Sequence, residues 1–309
     1  MSVAIISHPQ CLAHDMGEDH PECPARLYAI NDQLISSGLR FVCPEYQCDK
    51  ASHEQLLAAH DQQYIDNLFS NAPEQGIYEI DDDMQMMPQT LTAAEYAAGA
   101  GVMAVDLIMQ KKHRAAFCPV RPPGHHATKD EAMGFCFFNN VAVAAHYAIS
   151  EYHLERVAII DFDVHHGNGT QDIVQGNPKI LFCSSFQHPL YPFNGTQQCP
   201  DNIHNVALSA DTGSAEYRQG VEPWFDVIDN FAPQLIFISA GFDGHAADDI
   251  SAHQLFDTDY HWLTEKLVDL AEKHSEGRII SLLEGGYAVN ALGRTAVAHL
   301  KALLKSDLH

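Results

Sequence analysis

The sequence of 309 residues has few basic side chains. Lys and Arg together number 17 against 41 Asp and Glu, which gives a formal net charge of −24. A chain of this charge repels phosphate backbones, so we do not expect nucleic-acid binding. The acidity would attract cationic ligands weakly at low salt, but it can also serve solubility alone.

Several targeting and redox signals are absent as well. The eight cysteines include no CxxC pair, which argues against a zinc ribbon or a thioredoxin-like motif. No run of about 18 apolar residues occurs, so no membrane span is expected. The first residues, MSVAIISHPQ, lack the basic region and long apolar stretch of a signal peptide. We therefore expect a cytoplasmic protein in a reducing compartment.

Linkers, repeats and low-complexity tracts are also missing, so we predict a single domain over residues 1–309, with 71–90 as a long loop. Helical patterns occur at 92–110, 214–231 and 261–273. Between such patterns, short and almost continuously apolar runs predict parallel strands covered on both faces. These runs are 3–6, 115–120, 157–161, 180–185, 235–240 and 279–283. The alternation predicts an α/β fold with a parallel sheet.

Four of the predicted strands run into polar clusters. The clusters are RPPGHHA (121–127), DFDVHHGNGT (161–170), AGFDGHAADD (240–249) and LEGGYAVN (283–290). In open α/β sheets, ligands bind beyond the carboxyl ends of the strands. Four such endings therefore predict one shared site.

The second cluster points to a metal. If the strand persists, Asp161, Asp163 and His165 lie on one face, where the two carboxylates would repel each other without a cation or hydrogen bonds. A carboxylate and an imidazole beside an open position suit a catalytic zinc that needs one more ligand. Asp243, after its own strand, can supply that ligand, although an Asp there can also be a helix cap.

Other residues of the clusters allow two interpretations. His166 can be a hydrogen-bonded histidine outside the metal site, and Gly167 and Gly169 are interpreted as turn residues. The adjacent His125 and His126 can serve as a general base and its electrostatic partner. Tyr287, which follows two glycines, can donate to a developing oxyanion or simply lie in the core.

Taken together, these motifs resemble the histone deacetylase family, in particular its class II and bacterial amidohydrolase-like branch. The matching text is HPECPAR (20–26), RPPGHHA, GFCFFNN (134–140), DFDVHHGNGTQ, SAGFD (239–243) and LEGGY, which together span nearly the whole chain. The resemblance implies a single-domain arginase/deacetylase fold, with a mainly parallel sheet of about eight strands flanked by helices.

The resemblance also implies roles for individual residues. Asp163, His165 and Asp243 are similar to the family's zinc ligands. His126 corresponds to the general base and later acid, and His125 to its electrostatic support. The remaining implied roles are Asp161 orienting His125, Asn168 orienting His126 as in class II relatives, and Tyr287 stabilising the transition state.

The substrate tunnel and a second cation are implied in the same way. Phe135 and Tyr191 resemble the two aromatic walls of a narrow acyl-lysine tunnel, although the second wall is usually Phe. Gly134 would let the tunnel wall approach the substrate, and Arg26 resembles a residue implicated in acetate handling. The family's structural potassium would be held in part by Asp161, Asp163, His165 and Ser184.

The implied function is zinc-dependent hydrolysis of acetyl or acyl amides of lysine-type amines to the free amine and acetate. Ile250, seven residues after Asp243, stands where lysine-preferring relatives carry Leu or Met, which favours an acyl-lysine substrate. Asp248 and Asp249 could instead attract a cationic amine. The acidic triplet 81–83 could line the rim, or be a solvated loop.

Three alternative functions are therefore consistent with these motifs. The first is a deacetylase of acetylated lysine, the second an amidohydrolase of acetylated polyamines or other small acetylated amines, and the third a non-catalytic acyl-lysine-binding relative. Intact His126 and Tyr287 argue against the third. An arginase-like dimanganese enzyme shares the expected fold, but it would want more carboxylate ligands than these motifs supply. The oligomeric state cannot be inferred from the sequence.

Overall fold

The computed structural model describes residues 2–17 and 19–305. Met1, Glu18 and residues 306–309, which the predicted domain includes, lie outside this part. The strands along it are β1 Val3–Ser7, β2 Glu45–Gln47, β3 Tyr78–Glu79, β4 Gln85–Met86, β5 Ala115–Cys118, β6 Val157–Asp161, β7 Ile180–Gln187, β8 Ile203–Leu208, β9 Leu235–Ala240 and β10 Ile279–Leu283. The α-helices are α1 Ala25–Ser36, α2 His53–Leu57, α3 Gln62–Asn71, α4 Thr90–Met109, α5 Asn140–Tyr152, α6 Asn168–Val174, α7 Ser214–Val221, α8 Pro223–Phe231, α9 Asp257–His274 and α10 Val289–Leu304.

Eight of the strands form one parallel sheet in the spatial order β2-β1-β5-β10-β9-β6-β7-β8. Strands β5, β6, β7, β9 and β10 are buried at every residue, which explains their continuous hydrophobicity. Helices flank the sheet, with α4 packed on α5 and α10 packed on both α1 and α9. The predicted α/β fold with about eight parallel strands is confirmed.

The predicted elements differ from the structure where sequence signals are weak. All six predicted strands are present, but β2 and β8 were missed because these two edge strands are short or partly exposed and polar. The predicted helix 214–231 is two helices, since Pro223 begins α8 immediately after α7 ends. The predicted loop 71–90 contains the two-stranded antiparallel hairpin β3–β4.

Helix α4 is long and apolar enough to cross a membrane by length and composition alone. However, 72% of its apolar window is buried inside the fold. It packs against α5, β1 and β5. The apolar character of α4 is therefore explained by its place in the core.

The order of the strands gathers the four polar clusters. Strands β5, β10, β9 and β6 are consecutive neighbours in the sheet and run in the same direction. Their carboxyl ends consequently lie side by side, and each is followed by one of the clusters. The fold thus provides the shared site that the sequence predicts.

Candidate active site

Three side chains from two of these strand ends converge on one point. Donor atoms of Asp163, His165 and Asp243 all lie within 4.8 Å of one another, and all three residues are buried. The His165 Nδ1 lies 3.0 Å from Asp163 Oδ1 and 3.1 Å from Asp243 Oδ2. One nitrogen and two carboxylate donors fit a catalytic zinc ion, which takes such ligands and keeps a position open.

The electrostatics of this group also favour a cation. Burial opposes the charged imidazole, but the hydrogen bonds that His165 donates to Asp163 and Asp243 outweigh it and raise the pKa of His165 to about 10. Burial and the neighbouring Asp163 raise the pKa of Asp243 to about 6. Two buried carboxylates facing one imidazole therefore form a site that binds positive charge, as either a proton or a metal ion.

The chain reaches this geometry by leaving the strand early. Strand β6 ends at Asp161, so the alternation expected through Asp163 and His165 is wrong. Instead, Asp161 Oδ1 accepts the Asp163 N–H at 3.1 Å, and Asp163 Oδ1 accepts the His165 N–H at 2.8 Å. Each carboxylate bonds the backbone two residues ahead, an Asx-type turn that satisfies buried amides. The other oxygen of Asp161, Oδ2, lies 2.9 Å from His125 Nδ1.

Glycines pack directly against these carboxylates. A Cβ added at Gly285 would lie 2.1 Å from Asp243 Oδ2, and one at Gly241 would lie 2.0 Å from Asp163 Oδ2. Gly167 is similar, with 2.1 Å from its added Cβ to Asp161 Oδ2. Gly167 directly precedes α6 with a φ of −72°, so lack of space, and not a left-handed backbone conformation, is what requires glycine there.

The tandem histidines have different partners. His125 Nδ1 lies 2.9 Å from the Asp161 carboxylate, and His126 Nδ1 lies 2.7 Å from the Asn168 amide oxygen. Despite burial, Asp161 and Asp163 raise the pKa of His125 well above its usual value. Burial, followed by the charges of His125 and His165, lowers the pKa of His126 well below its usual value.

These partners separate the roles of the two rings. A neutral His126 that donates its Nδ1 hydrogen to Asn168 presents the lone pair of Nε2, which can accept a proton. His125 bonds the Asp161 carboxylate, whose negative charge favours the protonated, cationic imidazole. The arrangement agrees with His126 as the base and His125 as its support.

Tyr287 follows β10 and lies between two groups. Its ring centroid is 6.0 Å from that of Phe135, edge to face, and 4.9 Å from the Arg26 guanidinium carbon. Burial raises the pKa of the phenol well above its usual value; Arg26 opposes this rise, whereas Asp243 and Asp163 add to it. Tyr287 is therefore a neutral hydrogen-bond donor at physiological pH.

The two aromatic residues expected at the tunnel pack against different side chains of the site, Phe135 against Tyr287 and Tyr191 against His126. Gly134 and Phe135 have φ values of +54° and +68° and are the central residues of a tight turn closed by two bonds between Met133 and Cys136. Positive φ at both central positions is typical of a type I′ turn. Tyr191 packs edge-on against His126, with ring centroids 5.2 Å apart.

Two further predicted residues, Ser184 and Ile250, are not part of the group formed by Asp163, His165 and Asp243. Ser184 is paired with Asp161 across β6 and β7, and its hydroxyl bonds His166 Nδ1 at 2.9 Å. The potassium set that includes Ser184 stays a prediction. Ile250 is half-buried in the loop after Asp243, and its role in specificity also stays a prediction.

Asp248, one of the two carboxylates expected to attract an amine, instead bonds the protein backbone. Asp248 is only 5% exposed, and its Oδ2 accepts the backbone N–H groups of Tyr287 at 2.6 Å and Ala288 at 2.9 Å. Only the neighbouring Asp249 is exposed. The expectation that both carboxylates face a cationic substrate is therefore wrong for Asp248.

The acidic triplet 81–83 lies at the tip of the β3–β4 hairpin and is exposed. The Asp83 carbonyl lies 3.2 Å from His20 Nε2, and the His20 ring packs edge-on against Phe135 at 4.7 Å. Besides burial, the negative charges of Asp81 and Asp83 raise the pKa of Tyr191. The hairpin tip is therefore linked to Phe135 through His20, and its carboxylates act on Tyr191 electrostatically.

Glu284 is a residue of the site that the sequence motifs do not reveal. It is fully buried, and its Oε2 accepts the backbone N–H groups of Gly124 at 2.7 Å and His125 at 3.1 Å. Its Oε1 accepts the Ser239 hydroxyl at 3.1 Å. The available signal was a lone acidic residue between an apolar strand and two glycines.

A buried ionic cluster supports Arg26. Glu22, fully buried, pairs with Arg26 Nη1 at 2.9 Å and with Arg121 Nη2 at 2.6 Å. Burial acts to raise the pKa of Glu22, but Arg121 and Arg26 outweigh it and lower the pKa to about 2 from an ordinary value of 4.5. The cluster contacts the Tyr287 ring through Arg26. The negative charge of Glu22 offsets the positive charges of the two guanidinium groups.

This cluster gives a prediction for stability. We expect Glu22→Gln to lower the free energy of unfolding by about 3–5 kcal/mol at pH 7, because it leaves two buried cations without their carboxylate. Because the pKa of Glu22 is lower in the folded than in the unfolded protein, its ionised carboxylate stabilises the fold fully above about pH 4.5. About 3 kcal/mol of unfolding free energy is lost as the pH falls toward 2. Urea unfolding between pH 7 and 3 checks both parts.

The matched control is Glu155→Gln, which breaks the exposed ion pair with Lys179. We expect it to change the unfolding free energy by less than about 1 kcal/mol. A difference between wild type and Glu22→Gln that does not shrink below pH 4.5 would contradict the assigned pKa shift.

The Gly134 turn gives a prediction for activity. A Cβ at Gly134 would lie 2.3 Å from His126 Cδ2, so Gly134→Ala is expected to displace the His126 ring. Because a positioned general base contributes about 10²–10⁴-fold, we expect hydrolysis to slow by about 10² or more while bound metal is retained. Gly134 is thus required because it leaves room for the His126 ring. The resemblance implies only that Gly134 leaves room for the substrate.

Gly176→Ala is the control for backbone strain. Gly176 has φ +78°, but nothing lies within 4 Å of an added Cβ. We expect this variant to lose some stability and keep the wild-type rate of hydrolysis. Unchanged activity in Gly134→Ala would contradict the proposed crowding of His126.

Comparisons with known proteins agree with this geometry. The family model described as a histone deacetylase domain matches residues 20–303. A probable deacetylase of Archaeoglobus fulgidus is 35% identical, covering 100% of this chain and 88% of that protein. A histone deacetylase-like amidohydrolase of Pseudomonas aeruginosa is 33% identical, covering 87% of this chain and 73% of that protein. The crystal structure of the HDA15 HD domain superposes with a TM-score of 0.92 at 30% identity, covering 99% of this chain and 90% of that chain.

Proposed function

The chain belongs to the histone deacetylase family, and from this premise we propose that it is a zinc-dependent deacetylase of lysine-type amides, which it hydrolyses to the free amine and acetate. The observation that carries the proposal is the convergence of Asp163, His165 and Asp243 next to His126 and Tyr287. Each donor type suits zinc.

The three converging side chains would hold the metal. When bound there, zinc would polarise the acyl carbonyl and lower the pKa of a water molecule. His126 Nε2 would accept the proton of that water and later return it to the leaving amine nitrogen. His125, oriented by Asp161, would stabilise the negative charge that develops nearby.

Two further parts of the chain would act on the acyl group and its stem. The neutral Tyr287 phenol would donate a hydrogen bond to the developing oxyanion. Phe135 and Tyr191 would line the path of an extended aliphatic stem, since Phe135 packs against Tyr287 and Tyr191 packs against His126. Potassium beside Asp161 and Ser184 is proposed as a structural ion.

The acidic hairpin tip favours a cationic substrate within this class. Asp81 and Asp83 lie close enough to Tyr191 to affect its pKa, and the hairpin reaches Phe135 through His20. A second candidate function is therefore hydrolysis of an acetylated polyamine. Parallel assays with an acetyl-lysine peptide and N-acetylputrescine separate the two, and zinc binding without turnover of either would indicate a non-catalytic acyl-binding protein.

Zinc dependence is tested by metal replacement. We expect purified protein to contain stoichiometric zinc, to lose hydrolysis of the acetyl-lysine peptide after chelation, and to recover it on adding Zn²⁺. Addition of Mn²⁺, Co²⁺ or Fe²⁺ to the same chelated sample identifies a different native metal. Full activity in metal-free protein would contradict the proposed zinc dependence.

We also propose a cytoplasmic location. Each of the eight cysteines is a free thiol, and most of them are buried. A reducing compartment keeps thiols in this state. Fractionation of cells that express the tagged protein tests the location.

A further inference from the structure

The loop that carries Tyr287 is held at nearly every polar backbone atom. The Gly285 N–H donates to Asp163 Oδ2 at 2.8 Å, and the Gly285 carbonyl accepts the Phe242 N–H at 3.0 Å. Arg26 donates to the Gly286 carbonyl at 2.7 Å and also to the Glu284 carbonyl. The backbone N–H groups of Tyr287 and Ala288 both donate to Asp248.

Asp248 is the part of this arrangement closest to the tyrosine. Its Oδ2 accepts both amides, so the peptide planes on either side of the Tyr287 Cα are directed at one oxygen atom. Its Oδ1 accepts the Ile250 N–H at 3.3 Å. Hydrogen bonds to an ionised carboxylate are about twice as strong as those between neutral groups.

The backbone of this loop needs such an anchor. Gly285 and Gly286 precede Tyr287, and Gly286 has φ +121°, a conformation that other residues rarely adopt. Glycines are required here by space and by φ, but they leave the backbone free to take other conformations. The Tyr287 side chain keeps one direction only if the chain after the glycines is fixed.

Asp248 also connects the tyrosine to the metal group. It lies in the loop that begins with Asp243, and within that loop the Ser251 hydroxyl donates to the Asp243 carbonyl at 2.9 Å. The Tyr287 amide is thus tied to the segment that supplies one of the metal-binding carboxylates. A displacement of about 1 Å between catalytic groups can slow a reaction by about 10².

We infer that Asp248 is a positioning residue that fixes the Tyr287 phenol relative to the metal group through the backbone of residues 287 and 288. The inference rests on the proposed function for its effect on hydrolysis. Its effect on the loop itself can be measured without any turnover.

The experiment compares Asp248→Ala and Asp248→Asn, each alone and combined with Tyr287→Phe. Hydrolysis of the acetyl-lysine peptide gives kcat and KM, and hydrogen exchange with mass spectrometry follows the amides of residues 284–290. Asp248→Asn keeps an acceptor oxygen, so it is the milder variant if Asp248→Ala folds poorly.

We expect Asp248→Ala to lower kcat by about 10-fold to 100-fold with little change in KM, and Asp248→Asn to retain a larger share of kcat. In the Tyr287→Phe background the same changes should have almost no further effect on kcat, since the hydroxyl they position is already gone. The amides of Tyr287 and Ala288 should exchange at least about 10-fold faster in Asp248→Ala.

Asp259→Asn is the matched control for a buried carboxylate. Asp259 is fully buried, accepts the Phe256 N–H at 3.0 Å, and pairs with Arg218 at 2.8 Å. We expect this variant to lose stability while kcat and the exchange of residues 284–290 stay unchanged. A similar kcat loss in Asp259→Asn would mean that a general loss of stability explains the Asp248 result and would overturn the inference.

Two other results would also overturn it. One is a kcat loss in Asp248→Ala that is fully additive with Tyr287→Phe, and the other is unchanged exchange at residues 287 and 288. If the wild-type protein hydrolyses no acetylated substrate, the proposed function fails, and the exchange measurement still decides whether Asp248 holds the loop.

Discussion

An Asp243→Asn variant is expected to lose the proposed zinc binding and the hydrolytic activity together. Asn is isosteric with Asp, and its oxygen can still accept the Val164 N–H that Asp243 Oδ1 accepts at 2.9 Å. The fold should therefore survive, while one of the two carboxylates that face His165 loses its charge. Because a metal contributes several kcal/mol of transition-state stabilisation, we expect turnover to fall by about 10³ or more.

Metal content and kcat measured on the same preparation check this result. Asp229→Asn is the control, because it removes an ion pair with Lys273 outside the site and should keep both zinc and turnover. If Asp243→Asn kept stoichiometric zinc and full activity, Asp243 would not be a ligand. Lost activity with zinc retained would assign Asp243 a role other than binding the metal.

The position of this site could be predicted from the sequence because the four strands beside it are buried on both faces. Their continuous hydrophobicity marks each strand, and the polar residues that follow mark its end. The parallel arrangement then brings the ends together. The sequence does not reveal the edge strands β2 and β8, because partly exposed polar residues interrupt the continuous apolar run that marks a buried strand.

The details of the site depend on contacts that no local pattern contains. Glu284 bonds the backbone at Gly124, 160 residues earlier, and Asp248 bonds Tyr287, 39 residues later. The direction of Asp161 depends on Asx-type turns that end the strand, so alternation of side chains could not predict it. The crowding of Gly167 and Gly285 against carboxylates likewise exists only in the folded chain.

Removal of the Tyr287 hydroxyl has the second large expected effect. Tyr287→Phe keeps the ring between Phe135 and the Arg26 guanidinium, so packing and the loop should persist. Loss of one donor to an oxyanion costs about 10²–10³ in kcat in other hydrolases, and we expect a decrease of that size here, with zinc retained and KM little changed. Burial raises the pKa of Tyr287 well above its usual value, so the phenol is the protonated donor that this role requires.

Steady-state kinetics with the acetyl-lysine peptide, together with metal analysis, check the Tyr287 prediction. The control is Tyr217→Phe, which removes a buried hydroxyl that lies 3.3 Å from Ser185 Oγ. This control should lower stability and leave kcat unchanged, since the proposed mechanism assigns no step to Tyr217. Wild-type kcat in Tyr287→Phe would show that the oxyanion is stabilised without the phenol, and the metal and His125 would then have to supply that stabilisation alone.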